Sequence, residues 1–119
     1  MKFYYNGKLV RTSTHNYTHA VINTKNGNVV GCRTSEDAAQ KVISSEISLY
    51  RTGIQNEMSL MKALEEGRKS YLVKVGRRSF MERVTESNSI QRCQEWIESN
   101  ERQIEYIRKN WKVVELEVR

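Results

Sequence analysis

Apolar and polar positions change period several times along the chain, and the changes mark its elements. "KFYYNGKLVRTS" carries strand-like aromatic and aliphatic residues on both sides of Asn6-Gly7, a pair that favours the left-handed backbone of a two-residue hairpin turn. A hairpin is predicted from about 2 to 13. "YTHAVINTKNGNVVGCRT" repeats the device, with runs 17–23 and 28–33 flanking Lys25-Asn26-Gly27. A third hairpin is predicted in "SYLVKVGRRSFMERV", where 71–75 and 78–84 flank Gly76-Arg77. The closing "WKVVELEV" alternates Val114, Leu116 and Val118 with Glu115 and Glu117, as one strand with an apolar face would.

Between the second and third hairpins the period lengthens to that of a helix. Ile43, Ile47, Tyr50, Ile54, Met58, Met61 and Leu64 step by threes and fours, with Thr34 or Ser35 placed to cap the start and Gly67 to end it. A helix of about thirty residues extends roughly 45 Å, longer than the ~30 Å of a small domain. Part of its stripe is therefore expected to meet a second subunit, and Gly53 is expected to mark a bend or a close helix crossing. A second helix is predicted from about 88 to 110, capped by Asn88 with Gln91 completing a capping box; Ile90, Cys93, Ile97, Ile104 and Ile107 form its stripe, and Trp96 and Tyr106 widen it. The expectation is an α+β fold: a small antiparallel β-sheet of hairpins plus two long α-helices, in a single domain over residues 1–119, oligomerising through the helices.

Composition sharpens this picture. A hydrophobic fraction of 38% lies below the roughly 45–50% of an average globular chain counted with glycine, which again favours burial against other copies. No apolar run approaches the ~18 residues of a membrane span, and the opening Met-Lys-Phe-Tyr-Tyr is too polar for a signal peptide. A soluble protein of the cytoplasm is expected. Cys32 and Cys93, far apart in sequence, read as reduced thiols rather than a disulfide framework.

Charge separates the hairpins from the helices. Residues 1–35 carry +5 without one carboxylate and residues 68–83 carry +5 against a single acid, whereas 36–67 carry −3 and 84–119 carry −1. A net charge of +6 confined to two blocks suggests a localised anionic partner. The richest stretch, "RTSTHNYTHA" at 11–20, holds five hydroxyl side chains, Arg11 and both histidines. If the stretch is extended, His15 and His19 stand about 13 Å apart, too far to share a metal. Their spacing with Cys32 and Cys93 matches no common zinc pattern. No nucleophile, base and orienting acid are nominated together, and "NGNVVG" lacks the ending of a phosphate loop. An enzyme is the weaker expectation, and neither metal nor cofactor is called for.

Binding is better supported. Arginine forks and hydroxyl groups hold phosphates and ribose oxygens, and aromatic faces stack on bases. "GRRSFMERVTESN" places Arg77, Arg78, Phe80 and Arg83 just before a helix N-terminus, whose free N–H groups favour anions. Phe80 also fits as a core strand residue and Asn88 as a plain cap. Generic nucleic-acid binding, the usual suspicion for a basic chain, fits less well, because the charge forms no long stripe and the second helix is nearly neutral.

With "YYNGKLVRTSTHNYTHAVI", "GCRTSEDAAQK" and "GRRSFMERV" the chain resembles the phage-encoded Thoeris anti-defence nucleotide sponges. The resemblance implies a non-enzymatic viral protein that binds and sequesters the cyclic ADP-ribose isomers made by bacterial immune enzymes, in the host cytoplasm. Related proteins also take up cyclic oligonucleotide signals in separate pockets and assemble from dimers into hexamers. In that family an aromatic residue stacks on the ligand and an asparagine shortly after it hydrogen-bonds the ligand; Phe80 and Asn88 match best here. Arginine and threonine side chains from a neighbouring subunit would contact phosphate, and Arg11, Thr18, Arg33, Arg77 and Arg78 are the candidates by composition. The competing readings are a phage inhibitor of a host defence nuclease, of the anti-CRISPR type, and a small nucleic-acid-binding protein.

Overall fold

The computed structural model describes residues 1–119 as eight strands and two helices, an α+β fold. Strands β1 (Lys2–Tyr5) and β2 (Lys8–Thr12) form the first hairpin, and Asn6 and Gly7 take φ of 49° and 77° between them. Positive φ at both central positions is what this turn demands, and Asn-Gly supplies it at little steric cost. Strands β3 (His19–Asn23) and β4 (Val29–Arg33) form the second hairpin, whose loop turns at Gly27, also at φ 77°.

The single closing strand expected of residues 111–118 is in fact two. Strand β7 (Trp111–Glu115) pairs with β3, and β8 (Glu117–Val118) pairs with β1, so the three-stranded sheets run β4-β3-β7 and β2-β1-β8, antiparallel throughout. Alternation alone could not show the break, because Leu116 keeps the apolar phase and its N–H still donates to the Thr18 carbonyl at 2.9 Å, in register with the β3–β7 pairing, before the chain passes to β1.

Helix α1 (Glu36–Glu65) has the predicted length and ends. Ser35 Oγ accepts from the Ala38 N–H, and at the other end Arg68 N–H donates to the Ala63 carbonyl while Gly67 N–H donates to that of Leu64. Gly67 at φ 67° closes this Schellman arrangement. The buried positions of α1 are Ala39, Ile47, Leu60 and Ala63, whereas Met58 is 53% exposed. The expected stripe is thus only partly the buried face, because the alanines were not counted as apolar contacts although they let neighbours approach closely.

Helix α2 (Ile90–Asn110) begins one residue later than a cap at Asn88 implies. Its cap is Ser89, whose Oγ accepts from the Arg92 N–H at 3.1 Å. Asn88 lies outside the helix, and Gln91 closes no capping box; its amide bonds Glu95 instead. Strands β5 (Ser70–Val75) and β6 (Arg78–Arg83) form the third hairpin as a separate two-stranded sheet, with Gly76 at φ 60° in its turn.

The chain divides into two compact units, one of residues 1–47 with 106–119 and one of residues 48–105. In the first, Ala20, Ile22 and Cys32 form a buried cluster against Tyr5, Val10, Tyr17, Val114 and Leu116, so side chains of both three-stranded sheets share one core. Phe3 is fully buried, its ring edge-on to Tyr17 at 5.5 Å. Asn23, the one buried polar residue, donates from Nδ2 to the Tyr106 hydroxyl at 3.0 Å and accepts at Oδ1 from the Lys25 N–H. Both of its functional ends are thereby satisfied, as burial requires.

The second unit has a thinner core, in which Leu60, Ala63, Cys93 and Ile104 are buried. Gly53 marks a close crossing: a Cβ there would lie 2.9 Å from Asn100 Nδ2. Asn56, one turn further along α1, bonds the backbone of Lys74 twice at 2.9 Å, accepting from its N–H and donating to its carbonyl.

Candidate functional site

The N-terminal end of α2 gathers the polar and aromatic groups of the second unit. After β6 the chain turns through Thr85–Asn88, where Asn88 Oδ1 accepts from the Thr85 N–H at 2.8 Å and from the Thr85 hydroxyl at 3.2 Å. This small ring holds Asn88 in place, and Ser89 caps the helix directly behind it. The N–H groups of Ile90 and Gln91 keep no acceptor within the chain, leaving the positive end of the helix dipole open. Arg92 donates from Nη1 to the Ser87 carbonyl at 2.9 Å, which fixes its guanidinium beside that end.

A cleft of about 250 Å³ opens here, lined by Asn88, Ser89 and Arg92 with Tyr71 and Trp96 as aromatic walls and Glu57 and Cys93 at its back. Trp96 is 60% exposed, so it does not widen the buried stripe of α2 as expected. Positions 89, 92, 93 and 96 share one helix face, and the indole is presented on the same side as the cap and the guanidinium. Burial, reinforced by the neighbouring Glu57 carboxylate, pushes the Cys93 thiol up to about 11. Burial, followed by the charges of Glu82 and Glu57, also raises Tyr71 above its ordinary value.

The residues singled out from sequence divide between the two units. Arg77, Arg78, Phe80 and Asn88 belong to the second, and of these only Asn88 lines the cleft. Phe80 is 45% exposed on β6, so it is not the core strand residue its type suggests. It pairs with Val73, and alternation places it on the same sheet face as Tyr71. Arg77 sits in the hairpin turn and Arg78 on the exposed β6 strand. Arg11, Thr18 and Arg33 belong to the first unit. The Arg11 guanidinium stands over the Tyr17 ring at 5.0 Å, the Thr18 hydroxyl shares a hydrogen bond of 2.7 Å with His19 Nδ1, and Arg33 folds back to donate to the Cys32 carbonyl at 2.7 Å.

"RTSTHNYTHA" is not a continuous strand. Arg11 and Thr12 end β2, His19 and Ala20 begin β3, and the residues between them form the connection. There Ser13 Oγ accepts from the His15 N–H and the Ser13 carbonyl accepts from the terminal ammonium of Met1, both at 3.0–3.1 Å. Part of the hydroxyl richness therefore serves local turn geometry.

Tyr71, Glu57, Arg92 and Trp96 were not marked as site residues by sequence reasoning. For Arg92 and Trp96 the signal was available in their helical spacing from the cap. For Glu57 and Tyr71 it was not, since helix and hairpin must first be brought together.

The chain was compared with protein-family models, with curated proteins and with solved structures, and none of the three gave a match. The candidate site therefore rests on its own chemistry. No helix is long and apolar enough to cross a membrane, and no three His, Cys, Asp or Glu side chains are grouped to hold a metal ion.

Proposed function

We propose that the chain binds a compact anionic nucleotide, of the cyclic ADP-ribose class, at the N-terminal end of α2 and holds it without turnover. The observation that carries the reading is the convergence of an open helix N-terminus, an anchored arginine and two aromatic side chains on one cleft. The helix end and Arg92 suit a phosphate, and Tyr71 and Trp96 suit an adenine. Asn88 keeps its side-chain amide for the ligand, since its own ring uses Oδ1. Glu57 can accept from an adenine amine or a ribose hydroxyl.

At about 250 Å³ the cleft falls short of the ~300–1,000 Å³ that enclose a drug-sized ligand. It takes one half of such a nucleotide, and the other half is left for a second subunit to cover. In this reading the Thr and Arg side chains of the basic first unit are the candidates for that cover, as the resemblance to the Thoeris anti-defence sponges implies. Removing the signal from solution is then the biological act, and a viral protein that does this deprives a bacterial immune effector of its activator.

One base stack is worth about 1–3 kcal/mol and a hydrogen bond to a charged group about 1.5–3 kcal/mol. Loss of the Trp96 indole should therefore weaken binding by roughly 5- to 150-fold. Titration calorimetry with cyclic ADP-ribose isomers tests this in the parent protein, Trp96→Ala and Arg92→Ala. Binding by the parent that both variants weaken supports the site. Binding that neither variant changes places the ligand elsewhere, and no binding of any isomer refutes the proposed ligand class.

A further inference from the structure

We infer that β6 is the contact strand of a homodimer, pairing antiparallel with β6 of a second copy about a twofold axis at Phe80. The inference is independent of nucleotide binding and starts from the edges of the β5–β6 sheet. A two-stranded sheet is marginal by itself, and three or more strands are usual where a sheet stands in water. This sheet treats its two edges differently. On the β5 edge, the N–H and carbonyl of Lys74 are both covered by the side chain of Asn56. On the β6 edge nothing is covered: β5 is the only neighbour, and all six residues of the strand are exposed.

The register shows which groups that edge offers. Lys74 faces Ser79 across the hairpin, and because Lys74 turns its backbone groups outward to Asn56, Ser79 must turn its own outward on the other side. Alternation makes Met81 and Arg83 outward-facing as well, and none of the three has a backbone partner elsewhere. The strand thus presents alternate N–H and carbonyl groups ready for another strand.

Charges on an edge normally prevent such pairing. Here their order does the reverse. The sequence Arg78-Ser79-Phe80-Met81-Glu82 has opposite charges at equal distances on either side of the phenyl ring. When it pairs with itself antiparallel about Phe80, Arg78 faces Glu82 of the partner subunit, Glu82 faces the partner's Arg78, and Phe80 meets the partner's Phe80. Ser79 and the partner's Met81 exchange backbone hydrogen bonds, and symmetry repeats the exchange. Moving the axis to Ser79 or Met81 also preserves backbone pairing but sets Phe80 against a charged side chain and separates Arg78 from the partner's Glu82. Of these three registers only the Phe80-centred one sets Arg78 against the partner's Glu82 while keeping the backbone pairing; its one unfavourable contact is Arg83 against the partner's Arg77, at the strand end beside the exposed turn.

The paired strand also carries exposed apolar side chains, Phe80 at 45% and Met81 at 60%. In the dimer they stand beside the side chains of the facing strand in one continuous four-stranded sheet, whose outer strands are the two copies of β5. The expected helix-mediated assembly would leave this edge open, so the two modes of association can be told apart.

The test is sedimentation of the purified full chain, without nucleotide, over a concentration series, with circular dichroism to verify folding. Arg78→Glu and Glu82→Arg each create two like-charge contacts across the axis and should weaken the dimer by roughly tenfold or more. The double variant, Arg78→Glu with Glu82→Arg, restores opposite charges and should return the dissociation constant to within about threefold of the parent. Met81→Pro removes an outward N–H but no bond within the hairpin, and should also weaken association. A monomeric parent overturns the inference. So does an oligomer indifferent to these substitutions, or a double variant no stronger than the single ones.

Discussion

Asn56→Ala isolates the role of a side chain that acts as a substitute strand. Its amide replaces a neighbour on the outer edge of β5 through two hydrogen bonds of 2.9 Å to Lys74. An average hydrogen bond contributes about 0.5–1.5 kcal/mol net, and water can reach this edge when the amide is gone, so the low end applies to each. The expected loss is about 1–2 kcal/mol for the pair, or a few degrees in melting temperature for a chain of this size. The sharper readout is local. Native-state amide exchange of Lys74 should accelerate in Asn56→Ala, while the Phe80 and Val73 amides, bonded to each other's strands within the hairpin, should change less. Asn56→Asp keeps an acceptor for the Lys74 N–H but loses the donor, and should fall between parent and alanine variant. If Lys74 exchange is unchanged in Asn56→Ala, the amide does not close this edge, and the contrast between the two edges of the sheet is lost.

Phe3→Ala should cost about 3–5 kcal/mol in urea unfolding, as for other buried phenylalanines, because Phe3 is fully buried against Tyr17. In an Asn100→Ala background, Gly53→Ala should stabilise α1 by about 1 kcal/mol, whereas with Asn100 present the gain should shrink, since the new methyl group meets its amide at 2.9 Å; thermal melts of the four variants measure this. Cys93 should resist alkylation at pH 8 in the folded protein, its thiol being held up to about 11. A raised folded value means that the unfolded thiol loses its proton first, so stability is retained below about pH 9 and declines as pH rises toward 11; denaturant midpoints across that range should show the decline and a Cys93→Ala variant should lessen it.

Much of the fold was legible because its signals are local. Asn6-Gly7, Gly27 and Gly76 each mark a turn by the backbone angles they accept, and Ser35 and Gly67 bound α1 by satisfying the free ends of a helix. The errors concern choices made between neighbours or across the fold. Asn88 and Ser89 are both good caps, and Ser89 takes the role because Asn88 is engaged in the ring with Thr85. The split of β7 and β8 at Leu116 depends on two sheets competing for one segment, which alternation cannot express. Of the candidate site, the basic hairpin leading into a helix N-terminus was legible in the residues, whereas Asn88 was nominated through the family resemblance and by its residue type only as a cap. The aromatic walls were not legible, since Tyr71 reaches the cleft only through the packing of the hairpin and Trp96 resembles a core residue until its exposure is known.

The activity proposed for this chain is capture without turnover at the N-terminal end of α2. It is tested most directly by mixing the protein with cyclic ADP-ribose isomers, isolating the protein by gel filtration, and analysing the nucleotide before and after heat denaturation. Intact nucleotide is expected to travel with the parent protein, to be released unchanged on heating, and to fail to co-elute with Trp96→Ala. Nucleotide recovered in degraded form, or found free throughout, would contradict it.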